Sequence, residues 1–354
     1  MSDRPVNRPA RATHRRSVAS GGTGSVAVSD VPGFEWTPCP LCGSSRQDFV
    51  YERPDLRHRI DATRFRVVRC GDCGMGFVNP RPDRDAIHRW YPPEFYGAEE
   101  SPGAAIERQR ERLAAMEQWL AHLAPGRLLD IGCYKGEFAW WMQQRGWKVR
   151  GAEFSTVPPN AFGIDIHCGE LATLREAPFD AITMWAVLEH VHDPRALVRD
   201  AVRLLRPGGR LFVLVPNFRS IPARWLLHDD VPRHLLMFTP QTLRRLLVES
   251  GLEVRRLRCE QSIYSGSVRG LLNLVAKRIA GERHEEIVAQ NRVEGRWLEF
   301  ATTLRGKPSA AMASIDRLDQ RAAPCMDRWL DRLGLGFIMT AEAERPMGRR
   351  SGSG

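Results

Sequence analysis

The sequence predicts an α/β protein built on a mainly parallel sheet, with a small cysteine-bearing module in front and a helical stretch inserted late. Three observations predict it. From residue 127, short apolar runs alternate with helix-periodic ones, the pattern of parallel strands joined by right-handed crossovers. Before residue 100, two Cys-x-x-Cys pairs sit among Pro, Gly and aromatics with few long periodic segments. From 269 to 333 the alternation gives way to charged, helix-periodic sequence.

In chain order, residues 1–30 carry Ser, Gly, Pro and five arginines but no apolar core segment. They read as a disordered Arg-rich tail and not as a secretory signal. Residues 31–100 form the module, in which "FVYERPDLRHRIDATRFRVVRC" alternates like a hairpin. Ile106, Leu113, Met116, Leu120 and Leu123 then recur at helical spacing. Strands are expected near 127–132, 148–153, 164–167, 181–186, 210–215 and 253–260, and helices near 136–145, 194–205 and 240–250. "RPGG" at 206–209 and "SG" at 250–251 stand where helices stop. The division is therefore 31–100, 101–268, a helical insertion 269–333, a last strand within 334–345, and a disordered tail 346–354.

The chain has 354 residues, 43% of them apolar, enough for a sizeable core. No window nears 18 consecutive apolar residues, which excludes a membrane-spanning helix from the expectations. With no signal either, the expected location is cytoplasmic. The net charge is +10, yet only four of the 52 basic residues are lysine and the arginines are scattered. A dense basic and aromatic groove of the kind that holds nucleic acid is not visible.

"RLLDIGCYKGEF" (127–138) reads as strand, acid, glycine loop, helix. In an open parallel sheet such a loop lies where ligands bind. A dinucleotide loop needs G-x-G-x-x-G so that bare backbone reaches a diphosphate. Here the pattern is Asp130-x-Gly132-x-x-x-Gly136, with Tyr134 in between. A ligand without phosphates relaxes that demand, and S-adenosylmethionine is one. Glu153, ending "VRGAEFS" 23 residues after Asp130, can accept hydrogen bonds from both ribose hydroxyls.

These pieces, with "FDAITMWAVLEHVHDP", "LLRPGGRLFVLVPN" and "RHLLMFTPQTLRRLLVESGLEV", resemble in order and spacing the class I S-adenosylmethionine-dependent methyltransferases, in particular the ubiquinone O-methyltransferase-like group. The resemblance covers residues 127–260. It implies a Rossmann-like, doubly wound sheet of seven strands whose last strand, within 335–344, is antiparallel. It also implies that Asp130, Gly132 and Gly136 shape the methionine pocket, with Tyr134 packing near the methionine arm or serving the structure alone. Glu153 would hold the ribose, Phe154 and Glu170 would border the adenine, and Trp185 and Ala186 would lie under the cofactor. Tyr134, where a glycine is commoner, is the departure from the pattern.

Cys39-x-x-Cys42 and Cys70-x-x-Cys73 are 27 residues apart, and Gly43 and Gly74 follow the second cysteine of each pair. Small residues there let backbone N–H groups point at sulfur. Four thiolates make a closed tetrahedral zinc site, structural because no position is left open. The module resembles one that precedes methyltransferase domains of glycan or natural-product assembly, sugar C-methyltransferases among them.

Transfer to a hydroxyl calls for a base. The candidates are His190 and His192 in "LEHVHDP", His234 in "RHLLMF", and Glu189; His190 could instead cap the helix beginning near 193 or brace the loop. The reading is a methyltransferase acting on a small molecule, sugar or glycan intermediate. The alternative is an RNA- or DNA-modifying enzyme that docks through the zinc module and arginine tail; a non-catalytic cofactor-binding scaffold is a third.

Overall fold

In a computed structural model of the chain, residues 32–92, 101–154, 162–176, 178–220, 230–260, 268, 270–283, 286–287 and 302–347 are described. The two expected disordered tails therefore lie almost wholly outside the described residues.

The front module pairs β1 (Phe34–Glu35) with β5 (Arg81–Pro82), while β2 (Gln47–Pro54), β3 (Arg64–Cys70) and β4 (Gly76–Val78) form an antiparallel meander. Its hairpin is the one the alternation predicted. Its sheet is not closed by its own residues: the fourth strand, next to β4, is Leu236–Met237 from far along the chain. Apolar side chains cross the same boundary, since Phe65, Phe77 and Trp90 share one cluster with Leu188, Met237 and Phe238.

After helix α1 (Pro102–Leu120), whose first turn is capped by Ser101, the alternation runs as expected. It comprises β6 (Arg127–Ile131), α2 (Glu137–Gln143), β7 (Lys148–Glu153), β8 (Ile166–Cys168), β9 (Phe179–Trp185), α3 (Pro194–Leu204), β10 (Leu205–Pro216), β11 (Leu236–Met237), α4 (Pro240–Glu249) and β12 (Glu253–Glu260). "RPGG" follows the end of α3 at Leu204, as expected, and lies inside β10, which starts at Leu205. Pro207 has no N–H to give and Gly208 sits at φ +74°, so the ladder to β9 skips from Leu205 to Arg210 while the strand continues. The insertion holds α5 (Leu271–Ile279), a short hairpin of β13 (Thr303–Leu304) and β14 (Lys307–Pro308), and α6 (Ala310–Arg332).

The last strand, β15 (Ile338–Glu344), returns between β10 and β12 and is antiparallel to both. The seven-stranded order is β12-β15-β10-β9-β6-β7-β8. One face is covered from α1 and α2 by Leu113, Trp119, Phe138 and Trp141. The other is covered from α3 and α4 by Val198, Ala201, Leu243 and Leu247, together with the module. Winding reverses between β6 and β9, where the carboxyl ends of neighbouring parallel strands leave a crevice.

Candidate active site and cysteine cluster

The loop after β6 is shaped by its glycines. Gly132 has φ +70°, and a Cβ there would lie 2.4 Å from Val187 Cγ2, so the loop tolerates no side chain at this point. Gly136 takes φ +93° at the start of α2. Tyr134 adopts a left-handed φ of +52° without being glycine. That conformation is held by its own N–H, which donates to Glu153 Oε2 at 3.0 Å. The Phe154 N–H donates to Glu153 Oε1 at 2.8 Å. Glu153 is thus aimed by two backbone donors, and a carboxylate offers about four acceptor sites.

Register places Asp130 beside Thr183 of β9, whose Oγ1 donates to Asp130 Oδ1 at 2.7 Å. Burial pushes the Asp130 carboxyl up to about 7, against the Thr183 hydrogen bond and with help from the negative charges of Glu153 and Glu137. Three acids therefore converge on one glycine loop. Trp185 ends β9, edge-on to Phe138 at 5.4 Å, and its buried Nε1 has no partner among the described residues. Ala186 follows at φ +57°. Phe154 is exposed at the tip of β7, and Glu170, also exposed, precedes the 3-10 turn Leu171–Thr173, with its carbonyl accepting from Thr173 Oγ1.

A second cluster forms where the turn Leu188–His190 meets the segment 230–234. The His190 and His234 rings lie 4.8 Å apart edge to face, and His234 Nε2 is 4.0 Å from Glu189 Oε1. That gap is too long for a hydrogen bond, but one oxygen placed between them reaches both. His190 Nδ1 is 3.0 Å from the Arg233 carbonyl and 3.0 Å from Tyr91 Oη. A carbonyl only accepts, so this contact puts the proton on Nδ1 and leaves Nε2 the basic nitrogen. Burial lowers His190 to about 4 and takes His234 well below the usual histidine range, the latter helped by His190 beside it. Glu189 is buried, neither carboxyl oxygen has a partner among the described residues, and burial raises it to about 8. Burial thus favours the neutral form of both imidazoles and of the Glu189 carboxyl.

The cluster stands on a buried ion network. Arg233, with no solvent exposure, donates to Asp55 Oδ1 (2.7 Å) and Oδ2 (3.2 Å), to Asp230 Oδ1 (2.7 and 3.0 Å) and to the Trp90 carbonyl (2.8 Å). Arg57 adds a 2.7 Å bond to Asp230 Oδ2. Asp55, Arg57 and Trp90 belong to the front module, so the module forms one wall of the pocket.

Two expectations are corrected here. His192 does not join the cluster: its Nε2 contacts the Pro82 carbonyl at 3.0 Å. His190 does not cap the helix, because the Asp193 side chain accepts from Ala196 N–H at 2.9 Å and fills that role; its contacts with the Arg233 carbonyl and Tyr91 Oη fit the other expectation, a brace for the loop. Sequence reasoning also missed Tyr91, Thr183, Asp230 and Arg233. Thr183 carried a signal, a hydroxyl in the otherwise apolar stretch 181–185; Arg233 looked like any other arginine.

In the module, Cys39 Sγ lies 3.5 Å from Cys73 Sγ, Cys42 Sγ lies 3.6 Å from Cys70 Sγ, and all four sulfurs fall within 4.8 Å of one another. Four thiolates at about 2.3 Å from one zinc would sit about 3.8 Å apart, so the donor set fits. The two knuckles are near copies: Gly43 and Gly74 have φ +77° and +76°, and their N–H groups donate to the carbonyls of Cys39 and Cys70 at 2.9 and 3.0 Å. Each glycine closes its loop, and it is the N–H groups of Leu41 and Cys42, and of Asp72 and Cys73, that turn toward the first sulfur of each pair.

Residues 104–257 match the family described as "Methyltransferase domain". The chain is 31% identical over 142 residues to the ubiquinone biosynthesis O-methyltransferase of Idiomarina loihiensis, covering 37% of this chain and 58% of that protein. It is 32% identical over 158 residues to the protein of the same name from Pseudomonas aeruginosa, covering 38% of this chain and 68% of that one. Solved structures similar to it include the [4+2]-cyclase SpnF, 20% identical with a TM-score of 0.40 over 67% of this chain and 81% of that one. A possible histamine N-methyltransferase from Thermotoga maritima is 17% identical with a TM-score of 0.40, covering 74% of this chain and 95% of that one.

Proposed function

Because this chain belongs to the S-adenosylmethionine-dependent methyltransferase family, we propose that it methylates a hydroxyl of a small molecule, sugar or glycan intermediate. The observation that carries the reading is the acidic glycine loop. Asp130, Glu137 and Glu153 crowd negative charge where the fold binds its ligand. A diphosphate would be repelled there, whereas the ammonium and sulfonium of S-adenosylmethionine are drawn in.

The residues divide the work. Gly132 and Gly136 let the loop close over the methionine arm, beside Tyr134. Glu153, aimed by its two backbone donors, takes the ribose hydroxyls. Phe154 and Glu170 border the adenine, and Trp185 offers its unpartnered Nε1 below, next to Ala186. When bound, the cofactor supplies an electrophilic methyl group for an in-line displacement. The acceptor hydroxyl sits between Glu189 and His234, and its proton passes to a neutral imidazole, His234 Nε2 or His190 Nε2. Positive charge developing there is offset by Asp230, whose carboxylate already favours the charged form of both rings. One zinc ion held by Cys39, Cys42, Cys70 and Cys73 joins the two knuckles of the module 31–100, which packs on the cofactor domain, 101–268 plus 334–345, through β4 and its apolar side chains.

The test is incubation of the purified protein with methyl-labelled S-adenosylmethionine and a fractionated cell extract, followed by identification of the labelled product. A labelled small molecule or glycan is expected. Labelled RNA or DNA, with activity falling steeply as salt rises, would replace that acceptor class with a polyanion. Absence of cofactor binding in titration calorimetry would remove the reading altogether.

A further inference from the structure

We propose that the insertion docks the protein flat on an anionic lipid surface through the outer face of α6, independently of which acceptor is methylated. The helix splits cleanly by charge and polarity. With Arg317 set at 0° and about 100° per residue, Arg317, Arg321, Arg328 and Arg332 fall within an arc of about 60°. Leu318, Cys325, Trp329 and Leu333 fall in the adjoining arc, from about 80° to 160°. The acids Asp316, Asp319, Asp327 and Asp331 all fall between about 200° and 320°.

Exposure follows the same division. Leu318, Trp329 and Leu333 are 58%, 61% and 52% exposed, and the four arginines are exposed too, while none of the four acids is. The inner side packs through Ala323 and Leu330 against Val268, and Asp319 is fully buried. Neighbouring α5 repeats the composition outward, with Val275, Arg278 and Ile279 exposed, Ile279 at 83%.

Several surface guanidinium groups find carboxylates, as Arg46 does with Asp72, Arg64 with Glu52, Arg206 with Asp180 and Arg245 with Glu249. Arg321, Arg328 and Arg332 pair with no carboxylate among the described residues. Large apolar side chains and unpaired arginines on adjoining arcs, with acids turned away, make the face complementary to a bilayer interface carrying negative headgroups. Trp329 suits the interfacial depth, and arginine stems can lie along the apolar arc while their heads reach phosphate. No helix among the described residues is long and apolar enough to cross a membrane, so the contact is in-plane. A nucleic acid would satisfy the arginines but leave Leu318 and Leu333 in water. A second copy packed antiparallel about a two-fold axis would set arginine arc against arginine arc.

Vesicle flotation of the full-length protein tests this, with phosphatidylcholine alone and with phosphatidylcholine mixed with phosphatidylglycerol. Partitioning onto the anionic vesicles should exceed that onto neutral ones by at least about tenfold. It should fall by about tenfold or more in both R321E/R328E and W329S/L333S, with melting temperature and S-adenosylmethionine affinity kept as evidence of folding. Equal recovery with both vesicles, no recovery at all, or wild-type recovery of either variant would overturn the proposal. So would poly(U) binding lost in R321E/R328E but kept in W329S/L333S, which marks a nucleic-acid face. A dimer in sedimentation that W329S/L333S dissociates would assign the face to a second copy instead.

Discussion

The cysteine cluster and the Glu189–His190–His234 pocket are both close groups of titratable side chains, yet the chain assembles them in opposite ways. Each pair of cysteines is brought together by a four-residue knuckle and a glycine, so half of the site is local, and the β2–β3 hairpin joins the halves. The pocket has no local half beyond the adjacency of Glu189 and His190. Its third member arrives from residue 234, its tautomer from the Arg233 carbonyl, and its wall from Asp55, Arg57, Tyr91 and Trp90 in the other module. Covalent spacing can build a metal site; an acid–base site has to be held by tertiary contacts that lie outside it.

Removing the proposed zinc should break the comparison most sharply. Structural zinc sites contribute about 10–16 kcal/mol to folding in small modules. Cys70→Ser, or chelation, should therefore expose residues 34–82 to protease. Because β4 pairs with Leu236–Met237, acceptor turnover should be lost with it, while cofactor binding persists. Elemental analysis, limited proteolysis and calorimetry check the three parts; a metal-free protein as resistant as the native one would count against the zinc site.

Next in size is Arg233→Met. It leaves Asp55 and Asp230 buried with one counter-ion fewer, and breaking such a network is worth about 3–5 kcal/mol of stability. The urea midpoint should fall accordingly, and no loss would mean the network is ornamental.

His234→Ala and His190→Ala should lower turnover by at least about tenfold, within the 10²–10⁴-fold usual for proton transfer, with cofactor affinity and melting temperature nearly unchanged. Of these, His190→Ala also sharpens the tautomer argument, since Tyr91→Phe should have a smaller effect than either: the Arg233 carbonyl still fixes Nδ1–H. A pair of fully active histidine variants would move the chemistry to an acceptor that needs no base.

Glu153→Ala should weaken S-adenosylmethionine binding by about 1.5–3 kcal/mol, because hydrogen bonds to a charged group are lost. Calorimetry on this variant tests the ribose assignment directly.

The smallest effect is on pH. Asp130 titrates near about 7 in the folded protein and about 4 when unfolded. The ligand-free fold therefore binds the extra proton between those values, and the stability this group contributes falls as pH rises from about 4 to about 7. A cationic ligand prefers the ionised form, so cofactor affinity should rise as pH passes through about 7, by no more than tenfold per unit. A flat profile would place the ligand's positive charge away from Asp130.

Much of this was legible beforehand. The strand and helix alternation and the four cysteines follow from hydrophobic period and from residue spacing, which are short-range properties, whereas the antiparallel last strand was expected only from the family resemblance. In the loop after β6, Gly132 and Gly136 stood out because backbone geometry there demands glycine, and Asp130 and Glu153 because acids at two strand ends recur 23 residues apart. Tyr134 looked like an intrusion, but its left-handed φ and its N–H bond to Glu153 show a residue that orients the acid. "RPGG" marked the stop of α3, but the strand expected near 210 starts already at Leu205, because a break in ladder hydrogen bonding reads in sequence like a loop. His192 misled because direction along a turn, not proximity in sequence, decides which imidazole enters a pocket.

The sequence by itself determined the sheet, the knuckles and the acidic loop, since periodicity and local turn chemistry are written in neighbouring residues. Only the tertiary structure decided that 48 arginines are not equivalent. Arg233 is sealed between two aspartates that lie 178 and three residues away, while Arg321, Arg328 and Arg332 line an outer face with their acids turned inward. A guanidinium's role is set by which carboxylates and how much water surround it, and both depend on contacts between residues far apart in the chain.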